Sequence, residues 1–282
     1  MWVARASSWA AMIFWMTSRT TFGFSLIGLL VSVVCMLVLA MFMLTALNKA
    51  MTGAGTALPG TVSSYLDKEY LRAVFQSMAV SAQTGDGRFI VPSDLARSRD
   101  RSDDTTANLF SAMLAQHYTV PGQLISGNEY NPNVWRDEDY DFAAYYPAGG
   151  VYWDPTFVAD LEVESNTSFA HVPLFGERFK RSWRFTADSR TPILGNRGPK
   201  AGVDDPNSYT YGRDGRWAGH IVFGDGHVEF IDSFTPSGLS YDRGGQRYPD
   251  NIFAMEEGEA GSDAILTFTK EMTPDGPIIQ HD

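Results

Sequence analysis

The residues with the clearest chemical potential lie in the stretch WRDEDYDF, residues 135–142, where Asp137, Asp139 and Asp141 alternate along the chain. That is the spacing by which a calcium loop presents its first three ligands. The sixth position of such a loop is Phe142, where the sharp turn needs glycine, and the twelfth is Ala148, where a bidentate glutamate belongs. An EF-hand is therefore excluded. An irregular calcium site at these three aspartates is the single metal candidate, and a solvated acidic loop is the plainer alternative. Zinc has less support. His220 and His227 lie on one predicted hairpin but at opposite ends of it, and at about 3.3 Å per residue they cannot share an ion. His117 and His171 have no partner at ligand spacing, and no G-x-S-x-G, H-E-x-x-H or P-loop is present. No catalytic residue is expected, and no cofactor beyond that calcium.

These groups must be positioned by the elements around them. Residues 63–82 predict an amphipathic helix, because Leu66, Tyr70, Val74, Met78 and Ala82 recur every four positions with Leu71, Phe75 and Ala79 alongside. Residues 88–91, before Pro92, predict a short strand, and 96–106 a solvated, mixed-charge loop. A second helix is expected over 107–117 with Leu109, Phe110, Met113 and Leu114 facing inward. Residues 118–215 are dense in Asn, Asp, Pro, Gly and aromatic side chains and predict mostly loop. The strongest local signal is HIVFGDGHVEFI, residues 220–231. Asp225-Gly226 between alternating residues predicts a two-residue type I′ hairpin. That turn would set Phe223 opposite Val228 and Ile221 opposite Phe230 on an apolar face, with His220, Val222, His227 and Glu229 on the other. Residues 264–269, AILTFT, would extend the same sheet.

Charge and hydropathy divide the chain unequally. The net charge is −11, and Arg5 and Arg19 are the only charged side chains before position 48. Residues 48–282 therefore carry 20 basic against 33 acidic side chains, a net −13. With no Lys/Arg cluster, nucleic acid and anionic lipid are disfavoured as partners of this part, since phosphate binding needs gathered cations. The single cysteine, Cys35, excludes a disulfide from it. Residues 24–47 are 24 positions without a charge, more than the roughly 20 that span a hydrocarbon core of about 30 Å. Basic residues precede this run and acids follow it, which sets the N-terminus in the cytoplasm and the bulk of the chain outside. The run is too long for a secretory signal and lacks an A-x-A-like site. Ser25, Gly28, Ser32 and Cys35 make a face of small side chains suited to close helix packing.

The front of that run, Gly23-Phe24-Ser25-Leu26-Ile27-Gly28-Leu29-Leu30-Val31, resembles the G-F-T-L-I-E-L-L-V signature of type IV pilin and type II secretion pseudopilin precursors. The resemblance implies cleavage between Gly23 and Phe24 by a prepilin peptidase, with methylation of the new N-terminal Phe24. The family's glutamate is Gly28 here. In the family that carboxylate pairs with a neighbouring subunit's amine, so its loss implies a minor or tip subunit, or a lineage that tolerates glycine. The leader, residues 1–23, is long for the family, and a start at Met16 would leave the shorter MTSRTTFG. Near the other end, GRWAGHIVFGDGHVEFI resembles the H-x9-D-G motif that closes many pilin-like proteins of planctomycetes and related bacteria. Gly215 stands where its leading histidine belongs, and His220 where asparagine is usual. LRAVFQSMAVSAQTGDGRFIVP, from Leu71, and the segments Ser189–Pro192 and Gly195–Pro199 are similar to the family as well.

The expectation is thus an α+β protein: a long N-terminal transmembrane helix, residues 24–60, followed over 61–282 by a periplasmic pilin-like head with helices and a small antiparallel sheet. It would be a single-pass inner-membrane precursor whose partners are a prepilin peptidase, other pilin-like subunits and the membrane. The alternative is a singly anchored periplasmic enzyme or ligand-binding domain, with a pocket lined by Trp135, Tyr140, Tyr145, Tyr146 and Trp153.

Overall fold

The structure, a computed structural model, describes Met36 and residues 61–98, 100–185, 188–205 and 216–282. The chain divides into two compact units, Met1–Thr56 and Ala57–Asp282. The first helix of the second unit, α1 (Thr61–Gln83), follows its sequence periodicity: Leu71, Val74, Phe75, Met78, Ala79 and Ala82 are buried. Leu66, one turn earlier, is exposed, and the inward position beside it belongs to Asp67.

Alpha1 packs across three strands of a four-stranded antiparallel sheet. Its strands are β3 (Phe169–His171), β4 (Pro192–Asn196), β5 (Gly219–Phe223) and β6 (Val228–Ile231), and they lie side by side in chain order. Every residue of β4 and β5 is buried. A strand covered on both faces shows no polar–apolar alternation, so PILGN reads in the sequence as loop. Pro192 is tolerated because it opens its strand. Three small antiparallel pairs complete the sheet content: β1 (Ala159–Asp160) with β2 (Glu164–Ser165), β7 (Ser240–Arg243) with β8 (Gln246–Pro249), and β9 (Phe268–Thr273) with β10 (Gly276–Gln280).

The remaining helices are short. α2 (Pro92–Leu95) occupies the place expected to follow a strand, and residues 88–91 contribute only an isolated bridge between Arg88 and Arg184. α3 (Thr106–Ala115) starts on Thr105, whose hydroxyl accepts from the Asn108 N–H, and it buries Leu109, Phe110, Met113 and Leu114 as expected. α4 (Gly176–Ser182) lies within the region read as loop. The expected charged loop at 96–106 contains a buried acid: Asp104 accepts from both the N–H and the hydroxyl of Ser93 and pairs with Arg101.

The α+β expectation with a long transmembrane helix is corrected by this arrangement. The described residues are sheet-rich, with ten strands in four antiparallel sheets and four α-helices, and none of those helices is long and apolar enough to cross a membrane. α1, the longest of them, carries Lys68, Glu69 and Arg72 within two turns, which suits a protein surface and not a lipid interior. Residues 24–60, to which the spanning helix was assigned, lie outside the described residues apart from Met36. The strand expected at 264–269 also shifts: only Thr267 bridges to His171 of β3, and the regular strand begins at Phe268 with β10 as its partner.

Candidate functional site

The hairpin bearing Asp225 and Gly226 joins β5 to the edge strand β6, with a turn one residue longer than expected. The Phe223 N–H donates to the His227 carbonyl, and the Gly226 N–H to the Phe223 carbonyl, so the loop is Gly224-Asp225-Gly226. Gly226 alone of these needs the left-handed region, at φ +86°, which is the pattern of a type I turn closed by a bulge glycine. The extra residue moves the register. Val222 faces Val228, Ile221 faces Glu229 and His220 faces Phe230, in place of the Phe223–Val228 and Ile221–Phe230 pairs expected from a two-residue turn. His220 is buried with its ring 5.0 Å from that of Phe230, whereas His227 is exposed, stacked on Phe223 and bonded to Asp225. The two histidines are thus at opposite ends of the hairpin. A Cβ built on Gly226 would lie 2.9 Å from Cε1 of Phe75, so the turn closes directly against α1.

The processing pair Gly23 and Phe24 and the packing residues Ser25, Gly28 and Ser32 lie outside the described residues. Asp137, Asp139 and Asp141 are described but are used locally. Asp137 accepts from the Asp139 N–H and Asp141 from the Ala143 N–H, while the Asp141 N–H donates to Asp154. The five aromatic residues of the alternative reading do not converge. Tyr140 is buried between Phe142 and Phe157 and bonded to Ser111, while Trp135 and Tyr146 are half or more exposed.

A grouping that the sequence did not signal joins α4 to the segment 250–263. α4 presents Arg178 to the loop over residues 250–263. The Arg178 Nε donates to the Gly261 carbonyl at 3.1 Å, and its Nη2 to the Gly258 carbonyl and to Asp263 at 3.1 Å. Asp263 in turn accepts from the Glu256 N–H, Glu256 from the Asn251 N–H, and Asp250 from the Ala264 N–H. Among the described residues, this is where three carboxylates come within 4.8 Å of one another: Asp250, Glu256 and Asp263. Burial pushes Asp250 up to about 6 and Glu256 up to about 7, with repulsion from Asp263 adding to the first and from Asp250 to the second. Three buried atoms of this grouping have no hydrogen-bond partner among the described residues: Arg178 Nη1, Asp250 Oδ1 and Glu256 Oε2.

Arg178 and Asp250 also line a cavity of about 370 Å³. Arg181, Arg190 and Arg247 line it too, with Asp188 and with Leu239 and Ile265 as apolar wall. Arg181 donates to the Ser262 carbonyl and Arg247 to the Ser240 hydroxyl. Only the Arg178–Arg181 pair, three apart on one helix, could have been noticed in the sequence. No family model matches this chain, and no curated protein or solved structure matches it either.

Proposed function

We propose that the chain is a structural subunit of a pilin-like filament, a pilus or a secretion pseudopilus, cut between Gly23 and Phe24 by a prepilin peptidase and acting by assembly without a catalytic step. The observation that carries the reading is an order of features along one chain. A lone basic residue, Arg19, precedes Gly23-Phe24; 24 uncharged positions follow; and the head opens with α1 seated on the Asp225-Gly226 hairpin. In this reading the apolar segment 24–47 meets the membrane and neighbouring subunits, with Ser25, Gly28 and Ser32 permitting close approach. The acidic head lies outside the cytoplasm, where its repulsion from like-charged heads keeps subunits soluble until they are ordered by their apolar segments. Glycine at position 28, in place of a carboxylate that would need a partner in an apolar environment, suits a minor or tip subunit that has no neighbour on one side.

The test is intact mass and N-terminal sequencing of the membrane-extracted protein, with the prepilin peptidase present and absent. A peptidase-dependent N-terminus at Phe24, methylated, is expected. An N-terminus at Met1 or Met16 in both conditions would remove the filament reading.

A further inference from the structure

Assembly through residues 24–47 leaves unexplained an uncharged face on an acidic head. Residues 73–85, 105–128 and 142–153 contain no Asp, Glu, Lys or Arg, and the fold sets parts of all three side by side. Val80 on the outer side of α1 and Val120 beyond the end of α3 line one shallow groove with His117, and the two valines are 54% and 53% exposed. His117 also stacks its ring on Phe142, with centroids 5.3 Å apart and planes 14° from parallel. From Phe142 the exposed surface runs on through Tyr145, Tyr146 and Val151. Tyr146 and Val151 exchange backbone hydrogen bonds across the loop 147–150, and the Tyr146 ring lies where a Cβ on Gly149 would stand. The exposed parts of Phe142, Tyr145 and Tyr146 alone amount to roughly 200–350 Å², at about 150–250 Å² for a whole aromatic side chain. A contiguous apolar patch of that size, rimmed by polar groups, marks a surface that binds something.

Two further observations bear on the partner. His117 has φ +59°, the left-handed conformation in which glycine is the usual helix-ending residue. A side chain is held there against local preference, and its ring is what joins the α1 side of the patch to the Phe142 side. Backbone strain of this kind gathers at binding sites. The second observation is the rim. Glu138, Asp139 and Asp141 are exposed just before Phe142 and have no ion pair among the described residues. Asp137 beside them is pushed up by burial and by repulsion from Asp154, Asp139 and Glu164. Arg136, the neighbouring cation in the chain, turns its guanidinium to Gly122 instead. An apolar centre with an uncompensated acidic rim is complemented by an apolar centre with a basic rim. A second copy of so acidic a head is repelled. We propose that this face docks a protein segment whose apolar side chains are flanked by Lys or Arg, with Val80, Val120 and Tyr146 meeting the apolar centre and Glu138, Asp139 and Asp141 the basic flanks. The Tyr140 hydroxyl donates to the Ser111 carbonyl at 2.7 Å and anchors the loop to α3, so little ordering is needed on binding. This proposal does not depend on the filament reading.

Fluorescence anisotropy of labelled peptides tests it, with the full-length chain in neutral phosphatidylcholine nanodiscs and empty discs as the blank. Three probes share the centre Trp-Leu-Gly-Leu-Phe and carry three lysines, three glutamines or three glutamates on each side. A fourth has the same lysines around Gly-Ser-Gly-Ser-Gly. The lysine-flanked apolar peptide is expected to bind about tenfold or more tightly than each of the others. Val120→Ser with Tyr146→Ser removes exposed apolar surface, so the melting temperature is expected to stay put while affinity falls about tenfold. His117→Gly relieves the backbone, and it should keep or raise the melting temperature while weakening the peptide about threefold or more. Glu138→Gln with Asp139→Asn should remove most of the preference for lysine over glutamine flanks. The proposal is overturned if the lysine-flanked apolar peptide binds no more tightly than the Gly-Ser or the glutamine peptide. It is overturned as well if the serine double variant and His117→Gly both keep full affinity at an unchanged melting temperature. A third contrary result is association of the discs in sedimentation velocity that the serine double variant abolishes, which would make a second copy the occupant.

Discussion

Buried polar side chains tie distant elements of this fold together, and the chain of bonds through His171 shows how strictly they are determined. The His171 Nδ1 lies 2.7 Å from the Val172 carbonyl, which can only accept, so Nδ1 carries the proton. Nε2 is then bare and accepts from the Thr106 hydroxyl at 2.9 Å, and the Thr106 oxygen accepts from the Thr269 N–H at 2.8 Å. Three elements, α3, β3 and β9, meet in this line. Thr106→Val preserves shape but leaves a ring nitrogen and a backbone N–H unpaired in the core, at a cost of about 2–4 kcal/mol. Thr106→Ser keeps the hydroxyl and should cost less than about 1.5 kcal/mol. Denaturant midpoints of the two variants check this, and equal midpoints would mean the hydroxyl is idle. Asp67 has a similar role: it accepts from Ser126, Gly127 and Asn196, binding α1 to a loop and to β4. Nothing in the sequence marks Asp67 for this role, because its partners are 59 to 129 positions away.

At the scale of elements, legibility followed length and amphipathicity. α1 buries one stripe against the core, so its periodicity survives in the sequence, and α3, buried at every position from Leu109 to Ala115, shows there as an apolar run. β4 is buried on both sides and β1 and β2 have two residues each, so none of them leaves an alternation to find. The hairpin was recognisable from Asp225-Gly226, but its register was not, since one residue more in the turn inverts which side chains share a face. The same turn gives a test of how α1 is seated. Gly226 and Gly87 have nearly equal backbone angles, φ +86° and +83°, but a Cβ at Gly87 meets nothing within 4 Å. Alanine at either position incurs the left-handed penalty of about 1–2 kcal/mol. Gly226→Ala must also displace Phe75, which adds about 1–3 kcal/mol. In a Phe75→Leu background that surplus should vanish, as a double-mutant cycle would measure. Equal losses for the two glycine variants in the wild-type background would show that the hairpin does not bear on α1.

For the whole molecule, the candidate cavity was illegible because Arg178, Arg190, Arg247 and Asp250 come from α4, a loop, β8 and the segment after it, and only folding gathers them. That gathering has a consequence for pH. Burial holds His171, His220 and His281 down near 4, while it pushes Asp250 up to about 6 and Glu256 up to about 7. The histidines bind protons in the unfolded chain below about 6.5 but in the folded one only near 4, so they add stability as pH rises from 4 to 6.5. The two carboxyls act in the opposite sense. They stay protonated in the folded state after their unfolded counterparts ionise, so they contribute stability at low pH that is lost as pH rises through 6 and 7. Three histidines outweigh two carboxyls, and unfolding free energy should fall by about 2 kcal/mol from pH 7 to pH 5. The carboxyls therefore offset part of the histidines' acid sensitivity. Glu256→Gln removes one of them, and its loss over the same interval should grow to about 4 kcal/mol. Urea unfolding of both proteins at pH 5, 6 and 7 reads this directly. A variant with the wild-type slope would mean that Glu256 ionises normally in the fold, and that the carboxylate cluster beside the cavity is charged, not protonated, at neutral pH.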